Sequence, residues 1–417
     1  MHKNIVILGA GFGGLRCALD MARTTPKDYK IVLIDRNPYH LYYPKLFEEI
    51  VPRSEVSGFR CQVSVLEILK GTKVEFIQGA VQGIDCKGRT VEVTPSDFPL
   101  HKGEKWSYEY LVLALGADTD YFGIPGLKEY GCTLKSIKDA ETIRVVVQEF
   151  LQKKRERLDI VIGGAGATGV EVAAELAYLF RDVPRQQWSI TIVEALPRIL
   201  AMFPNELSQY AHARLEKLGV RLMLDTCIKS VGTKEGKPEI VLAPRPLKPG
   251  ETEAQLTCDF LPAHEKRVVV DVLLWAGGVR ANPFISTCGM LVDRKGRVEV
   301  DEHLVVKGIE RIFAIGDNAL LMDPTTKQPV PATAQAALLQ GKIVADNIMR
   351  TIKGMPLALY SFPKFPAIVP LADKDAVALI GNHVMRGFLA MLLRKAADVR
   401  YYASIVGWWK AMKRCIM

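Results

Sequence analysis

Two stretches of this chain repeat one pattern: a short apolar run, a cluster of glycines, then a segment suited to a helix. The first is Ile5-Val6-Ile7-Leu8 followed by Gly9-Ala10-Gly11-Phe12-Gly13-Gly14, and the second is Ile160-Val161-Ile162 followed by Gly164-Ala165-Gly166-Ala167-Thr168-Gly169. A short run that is apolar throughout suits a strand buried on both faces, as in a parallel sheet. The first glycine of such a cluster allows a sharp turn, the second lets the backbone come close to a phosphate, and the third lets helix and strand pack tightly. The helix start then offers unbonded N–H groups and a partial positive charge to an anion. Each copy leads to a second apolar run tipped by an acid, Ile31-Val32-Leu33-Ile34-Asp35 and Ser189-Ile190-Thr191-Ile192-Val193-Glu194. An acid there accepts hydrogen bonds from an adenosine ribose. One glycine cluster is weak testimony, but strand, loop, helix and acid-tipped strand in order, found twice, is strong. Two loops imply two bound dinucleotides, and a chain that holds two is suited to moving electrons between them.

The repeat extends further. Copy one runs on to Tyr110-Leu111-Val112-Leu113-Ala114-Leu115-Gly116-Ala117, and copy two to Asp271-Val272-Leu273-Leu274-Trp275-Ala276-Gly277-Gly278-Val279, each an apolar strand ending in small residues such as Ala114, Gly116 and Gly277. Two units of like order read as two Rossmann-type domains in an α/β fold. A third apolar strand, Ile309-Glu310-Arg311-Ile312-Phe313-Ala314-Ile315-Gly316-Asp317-Asn318-Ala319, follows the second unit and is expected to complete the first. The acid of copy two also bears on cofactor choice. Glu194 suits a ribose 2′-OH and repels a 2′-phosphate, which favours NADH over NADPH, although Arg198 stands near.

In this arrangement the chain resembles the two-dinucleotide flavoproteins related to the disulfide reductases, in which an NADH domain is inserted into an FAD domain. The resemblance implies that Asp317 bonds the ribityl chain of FAD, with a helix cap as the plainer alternative. Within that superfamily the chain is most similar to the type II, non-proton-pumping NADH:quinone oxidoreductases. The residues that carry this are Arg36-Asn37-Pro38-Tyr39-His40-Leu41-Tyr42-Tyr43-Pro44, Val193-Glu194-Ala195-Leu196-Pro197-Arg198-Ile199-Leu200, Leu274-Trp275-Ala276-Gly277-Gly278-Val279 and Pro331-Ala332-Thr333-Ala334-Gln335-Ala336-Ala337. By resemblance the segment from Arg36 to Pro44 reaches the flavin ring, and Ala334 and Gln335 lie at the flavin and the quinone mouth. Glu171 matches a carboxylate that faces the nicotinamide; read from its position alone it is an acid stabilising a helix N-terminus. The implied cofactors are FAD and NADH, the implied acceptor is a quinone in the bilayer, and the implied assembly is a homodimer.

The implied division is an FAD-binding domain over 1–117 and 281–355, an NADH-binding domain over 118–280, and a membrane-anchoring tail over 356–417. Three departures from the family pattern stand out. Leu339 occupies the place of a usual second glutamine; Gln340, one residue on, falls on another face of a helix. Lys45 replaces an apolar residue, and Leu115 replaces a threonine.

Cysteine placement bears on the competing activities. Residues 36–60 contain no cysteine and no CxxC occurs, so the redox pair of a disulfide reductase is missing. A sulfide:quinone oxidoreductase needs a cysteine pair at the flavin, for which Cys132 and Cys288 are the candidates. A reductase serving ferredoxin or rubredoxin, and a non-enzymatic NADH sensor, are the remaining alternatives. The scattered cysteines read as reduced, mostly core thiols. No His/Cys cluster has metal-ligand spacing, so no metal is expected. His40 reads as structural, against a flavin-pocket role. The stretch 244–266, with its prolines, reads as a surface loop. A strand begins by residue 4, so no leader peptide is expected.

The net charge of +9 is uneven, with seven Lys or Arg (Arg386, Arg394, Lys395, Arg400, Lys410, Lys413, Arg414) against Asp398 alone in residues 384–417. The same residues hold Phe388, Leu389, Leu392, Leu393, Trp408, Trp409 and Met412. No apolar run reaches the roughly 18 residues that cross a bilayer. A basic amphipathic helix with a tryptophan pair suits the membrane interface, cations on headgroups; a core or dimer helix with a solvated basic face is the alternative. The expected location is peripheral, on the cytoplasmic side of the cell membrane. No nucleic-acid recognition fold is discernible, so nucleic acid is not an expected partner.

Overall fold

The computed structural model describes residues 3–52, 60–96, 103–244 and 265–416. The 244–266 stretch therefore lies almost wholly outside the described residues. In chain order the elements that matter for function are β1 (Lys3–Leu8), α1 (Phe12–Thr24), β2 (Tyr29–Asp35), β3 (Val74–Asp85), β4 (Tyr110–Leu113), β5 (Leu158–Gly163), α2 (Ala167–Leu179), β6 (Trp188–Val193), β7 (Arg221–Met223), β8 (Val272–Trp275), β9 (Ile312–Ala314), α3 (Ala334–Ile352), α4 (Phe388–Val406) and α5 (Trp408–Ile416). The chain folds as two units. One comprises Met1–Leu41, Gln62–Asp118 and Val279–Phe365, and the other Tyr42–Cys61, Thr119–Gly278 and Pro366–Met417.

In the first unit the apolar runs form a parallel sheet in the order β9-β4-β1-β2-β3, which strands Thr90–Pro95 and Glu104–Ser107 extend with antiparallel pairing. β9 enters beside β4, with Ile312 opposite Leu111, so a strand distant in sequence joins the sheet begun by β1. Ile5, Val6, Ile7 and Leu8 are fully buried, as a central parallel strand covered on both faces requires. α1 and α3 pack backbone to backbone: a Cβ on Gly341 would lie 2.3 Å from the Gly13 carbonyl oxygen. Only glycine permits that approach.

In the second unit the parallel sheet runs β7-β6-β5-β8, beside an antiparallel sheet of Thr226–Lys234, Lys237–Pro244 and Lys266–Val269. The two sheets share an apolar core of Val161, Val193, Ile228, Ile240, Leu242 and Leu273. Strands Ala367–Pro370, Ala376–Ile380 and His383–Arg386 form a further antiparallel sheet, against which α4 packs through Ala390 and Met391.

This division differs from the sequence expectation in two places. Residues 42–61 leave the first unit for the second, and 366–417 form no separate tail. The reason is packing: Tyr42 stacks on Tyr401 of α4, ring centroids 4.8 Å apart, and the Tyr402 hydroxyl donates to the Arg60 carbonyl at 3.1 Å. α4 is mixed on both sides: Ala390, Met391, Tyr401 and Tyr402 are buried, and Lys395 and Arg400 are exposed. Arg394 and Asp398 lie on its buried side, while Phe388, Leu389, Leu392 and Leu393 are exposed. Arg394 is thus not one of the surface cations, because it is committed to interior partners; Lys395, Arg400, Lys410 and Lys413 remain exposed.

Candidate functional site

The two glycine loops are near duplicates at the atomic level. Gly9 has φ +103° and Gly164 φ +100°, a region of backbone space that other residues rarely enter. A Cβ on Gly14 would lie 1.9 Å from the Gly9 oxygen, and one on Gly169 would lie 2.0 Å from the Gly164 oxygen, so each loop closes on its own first residue. A Cβ on Gly9 would meet the Ala114 carbonyl oxygen at 2.2 Å, and one on Gly164 would meet Gly277 Cα at 2.7 Å. Each pair ties a loop to the end of the neighbouring strand. At the second glycines, Gly11 and Gly166, an added Cβ meets nothing within 4 Å. Both loops therefore present an open helix start, the cradle that a pyrophosphate needs. Helices α1 and α2 begin directly after it, with Phe12 and with Ala167 and Thr168.

The acids are held alike as well. The Ala10 N–H donates to Asp35 Oδ2 at 2.6 Å and the Asn37 N–H to Oδ1 at 2.8 Å. The Ala165 N–H donates to Glu194 Oε2 at 2.6 Å and the Leu196 N–H to Oε1 at 3.0 Å. Each carboxylate oxygen keeps further lone-pair capacity for a ribose hydroxyl. The Arg198 guanidinium donates to the Phe203 carbonyl at 2.7 Å and to the Ala201 carbonyl. His40 is fully buried, its Nδ1 lies 2.9 Å from the Ala10 carbonyl oxygen, and burial pushes its pKa down to about 4. A neutral imidazole bracing the first loop accounts for it.

The remaining expected residues of the first unit cluster near this loop. Gly13 approaches Ile315 and the Ala337 carbonyl, so the Gly316–Asn318 turn that carries Asp317 and the start of α3 stand beside it. Thr333 caps α3, its hydroxyl accepting from the Ala336 N–H at 3.3 Å; Ala334 opens the helix and Gln335 is exposed in its first turn. Gln340 is buried and its Oε1 accepts from the Gly316 N–H at 2.6 Å. It shapes the turn that carries Asp317. Gly116 has φ +72° and its carbonyl accepts from the Asn282 N–H at 3.2 Å. Arg36 is exposed next to Asp35. Pro44 does not join this group: it belongs to the second unit, where its carbonyl accepts from Arg394.

The second unit holds a buried charge cluster that sequence reasoning did not assemble. Glu171, in the first turns of α2, lies 3.6 Å from Arg394 Nη1. Arg394 Nε donates to Asp398 Oδ1 at 3.1 Å, the Tyr42 hydroxyl donates to the same oxygen at 2.7 Å, and Lys45 Nζ lies 3.7 Å from Asp398 Oδ2. Burial pushes the Glu171 carboxyl up to about 8; Arg394 opposes this, and Glu48 and Asp398 add to it. A helix N-terminus alone favours the anion. The structure thus gives Glu171 more than the helix-stabilising role read from its position: it is a buried carboxyl that binds a proton near neutral pH. Among the described residues no group of three or more His, Cys, Asp and Glu could hold a metal ion.

The comparisons with known proteins agree with this geometry. The pyridine nucleotide-disulphide oxidoreductase family profile matches residues 3–341. The chain belongs to that family. It is 28% identical over 427 residues to a type II NADH:quinone oxidoreductase of Staphylococcus aureus (strain bovine RF122 / ET3-1), covering 99% of this chain and 98% of the relative. The corresponding Staphylococcus saprophyticus protein is 27% identical with the same coverage. Among solved structures the fold is shared with NDH2 from Plasmodium falciparum in complex with NADH, at a TM-score of 0.81 and 18% identity over 100% of this chain and 98% of that one. It is also shared with the sulfide:quinone oxidoreductase of Aquifex aeolicus, at a TM-score of 0.76 and 18% identity over 99% and 92%.

The buried carboxyl makes stability depend on pH with a definite sign. Between the ordinary value of 4.5 and about 8 the unfolded chain releases the Glu171 proton and the folded chain keeps it. Stability therefore falls as pH rises through that window, by at most about 1.4 kcal/mol per pH unit. Denaturant unfolding of wild type and Glu171→Gln across the window should show this slope in the wild type and its loss in the variant. Equal slopes would remove the assignment.

Proposed function

We propose that this protein is a flavin-dependent NADH dehydrogenase that reduces a quinone at a membrane surface. The observation that carries the reading is the duplicated loop, open at Gly11 and Gly166 and clamped by Asp35 and Glu194, which fits two dinucleotides. The full-length likeness to type II NADH:quinone oxidoreductases directs the choice of acceptor. Bound FAD supplies a two-electron acceptor for the NADH hydride and a donor to the quinone. The N–H groups at the start of α1 and the Asp35 carboxylate hold FAD at pyrophosphate and ribose, with Asp317 for its ribityl chain. The start of α2 and Glu194 hold NADH in the same manner, and the Glu194 charge repels a 2′-phosphate. Gln335, exposed in the first turn of α3, offers an amide donor to a quinone carbonyl. Glu171 holds a proton at neutral pH. Leu339, in place of a second amide, adds apolar surface one turn beyond Gln335.

The cysteines favour this reading over sulfide oxidation. The Cys132 thiol donates to the Leu273 carbonyl at 3.2 Å and the Cys288 thiol to the Phe284 carbonyl at 3.4 Å; burial pushes them up to about 12 and about 11. Thiols so disposed are poor nucleophiles at neutral pH.

The exposed leucines of α4 support contact with a lipid surface. Leu389 is 62% exposed, Leu392 52%, and Trp409 on α5 87%, with Lys395, Lys410 and Lys413 nearby in sequence. Apolar and aromatic side chains among cations suit the interface of an anionic bilayer. Among the described residues no helix is long and apolar enough to cross a membrane.

Two experiments test these readings. Purified protein should oxidise NADH with a short-chain quinone, preferring NADH to NADPH by at least about tenfold from the Glu194 charge. Vigorous reduction of ferredoxin or sulfide-driven turnover, with negligible quinone reduction, would reject the assignment. For the surface, replacing Leu389, Leu392, Trp408 and Trp409 by glutamine should release the protein from anionic liposomes while leaving it folded. Unchanged partitioning would refute lipid contact. These positions are preferable to truncation, which would also remove the interior residues Arg394, Asp398 and Tyr402.

A further inference from the structure

Arg394 is shared unequally between two carboxylates. Its Nε–H donates to Asp398 at 3.1 Å, Nη2 to the Pro44 carbonyl and Nη1 to the Ile368 carbonyl at 3.4 Å, while Glu171 comes only to 3.6 Å from Nη1. Asp398 is better supplied, with the Tyr42 hydroxyl at 2.7 Å and Lys45 Nζ at 3.7 Å besides Arg394. The fold fixes that advantage. Asp398 stands one helical turn beyond Arg394 on the buried side of α4, and Tyr42 is pinned between Tyr401 and Tyr402.

The ionisable groups that act on Glu171 are Arg394 and Asp398 from α4 and Glu48 from the Tyr43–Ile50 segment, with Lys45 linked through Asp398. Helix Asn205–Leu218, which also packs on α2, carries Glu206, Tyr210, His212, Arg214, Glu216 and Lys217, and β5 carries Asp159, whereas β6 and strand Ala367–Pro370 carry none. Glu171 is buried, and among the described residues its ion-pair contact is the 3.6 Å approach to Arg394. A charge without a full partner in a dry interior is costly, which favours the protonated form of this carboxyl.

We propose that Asp398 is a positioning residue: by claiming the Nε edge of Arg394 it withholds a full ion pair from Glu171 and so sets the proton affinity of that carboxyl, and Lys45 opposes it by drawing Asp398 away. The proposal rests on the quinone-reductase reading for its use in turnover, but not for its chemistry. Lys45 and Asp398 act on Glu171 with opposite sign. A merely structural pair would lose stability in both variants without opposite movements of a titration.

The test uses flavin-loaded, full-length wild type, Asp398→Asn, Lys45→Met and Asp398→Glu. Two readouts are followed: the midpoint of the pH–rate profile for NADH oxidation with a short-chain quinone, and the upper end of the pH window over which unfolding free energy falls. Asp398→Asn should move both midpoints down by about one pH unit, a roughly tenfold weaker hold on the proton. Lys45→Met should move both up by a similar amount, and Asp398→Glu should stay near wild type. Midpoints that do not move, or that move in the same direction in the Asn and Met variants, overturn the proposal. If Asp398→Asn does not fold, Lys45→Met decides alone: an upward move supports the proposal and any other result overturns it. If even the wild type reduces no quinone, the functional reading fails, and the unfolding arm still decides this one.

Discussion

The structure depends on a backbone contact that side chains would forbid. In each unit the third glycine of the loop sits against the carbonyl oxygen of the first, and the first sits against the end of the neighbouring strand. That closure sets the start of α1 and α2 directly over the tips of β1 and β5. It thereby aims unbonded N–H groups at the space beside Gly11 and Gly166. The acid at the end of the next strand completes the arrangement by accepting from the second residue of the loop, Ala10 in one unit and Ala165 in the other. Two loops, built from unrelated surrounding residues, reach the same geometry because the same steric limit acts on both.

The second organising feature is electrostatic. A carboxyl on α2, a guanidinium and a carboxylate on α4, and a lysine ahead of them are buried together in the second unit. Interior charges cost free energy unless they are paired, and removing one partner is strongly destabilising. The cluster thus ties α4 to the body of its unit while Leu389, Leu392 and Leu393 face outward. The same interactions that hold α4 also control the charge on Glu171, so attachment and proton affinity are one property of one group of residues.

Much of this was legible in the sequence. The apolar runs, the glycine spacing and the acids at positions 35 and 194 fixed the two sheets and loops, because those features obey local steric rules. The identity of β9 as a strand of the first sheet was also readable, from its position after the second repeat. What sequence could not supply was the destination of polar side chains decided by tertiary packing. Arg394 and Asp398 have the i,i+4 spacing of an ordinary surface pair, and only the stacking of Tyr42 on Tyr401 turns that pair inward. Gln340 is another such case: its bond to the Gly316 N–H depends on a loop 24 residues away in the chain. The grouping of Pro44 was hidden for the same reason: its segment follows the first acid in sequence and packs with the second unit in space.

Each loop is proposed to hold its own dinucleotide, with electrons passing from one to the other. Anaerobic titration of freshly purified protein with NADH, followed by visible absorbance, tests it most directly. The account predicts about one tightly held flavin per chain, from one occupied loop, bleached by about one equivalent of NADH bound at the other. A colourless protein that takes up no FAD, or a bound flavin that NADH leaves oxidised, would contradict it.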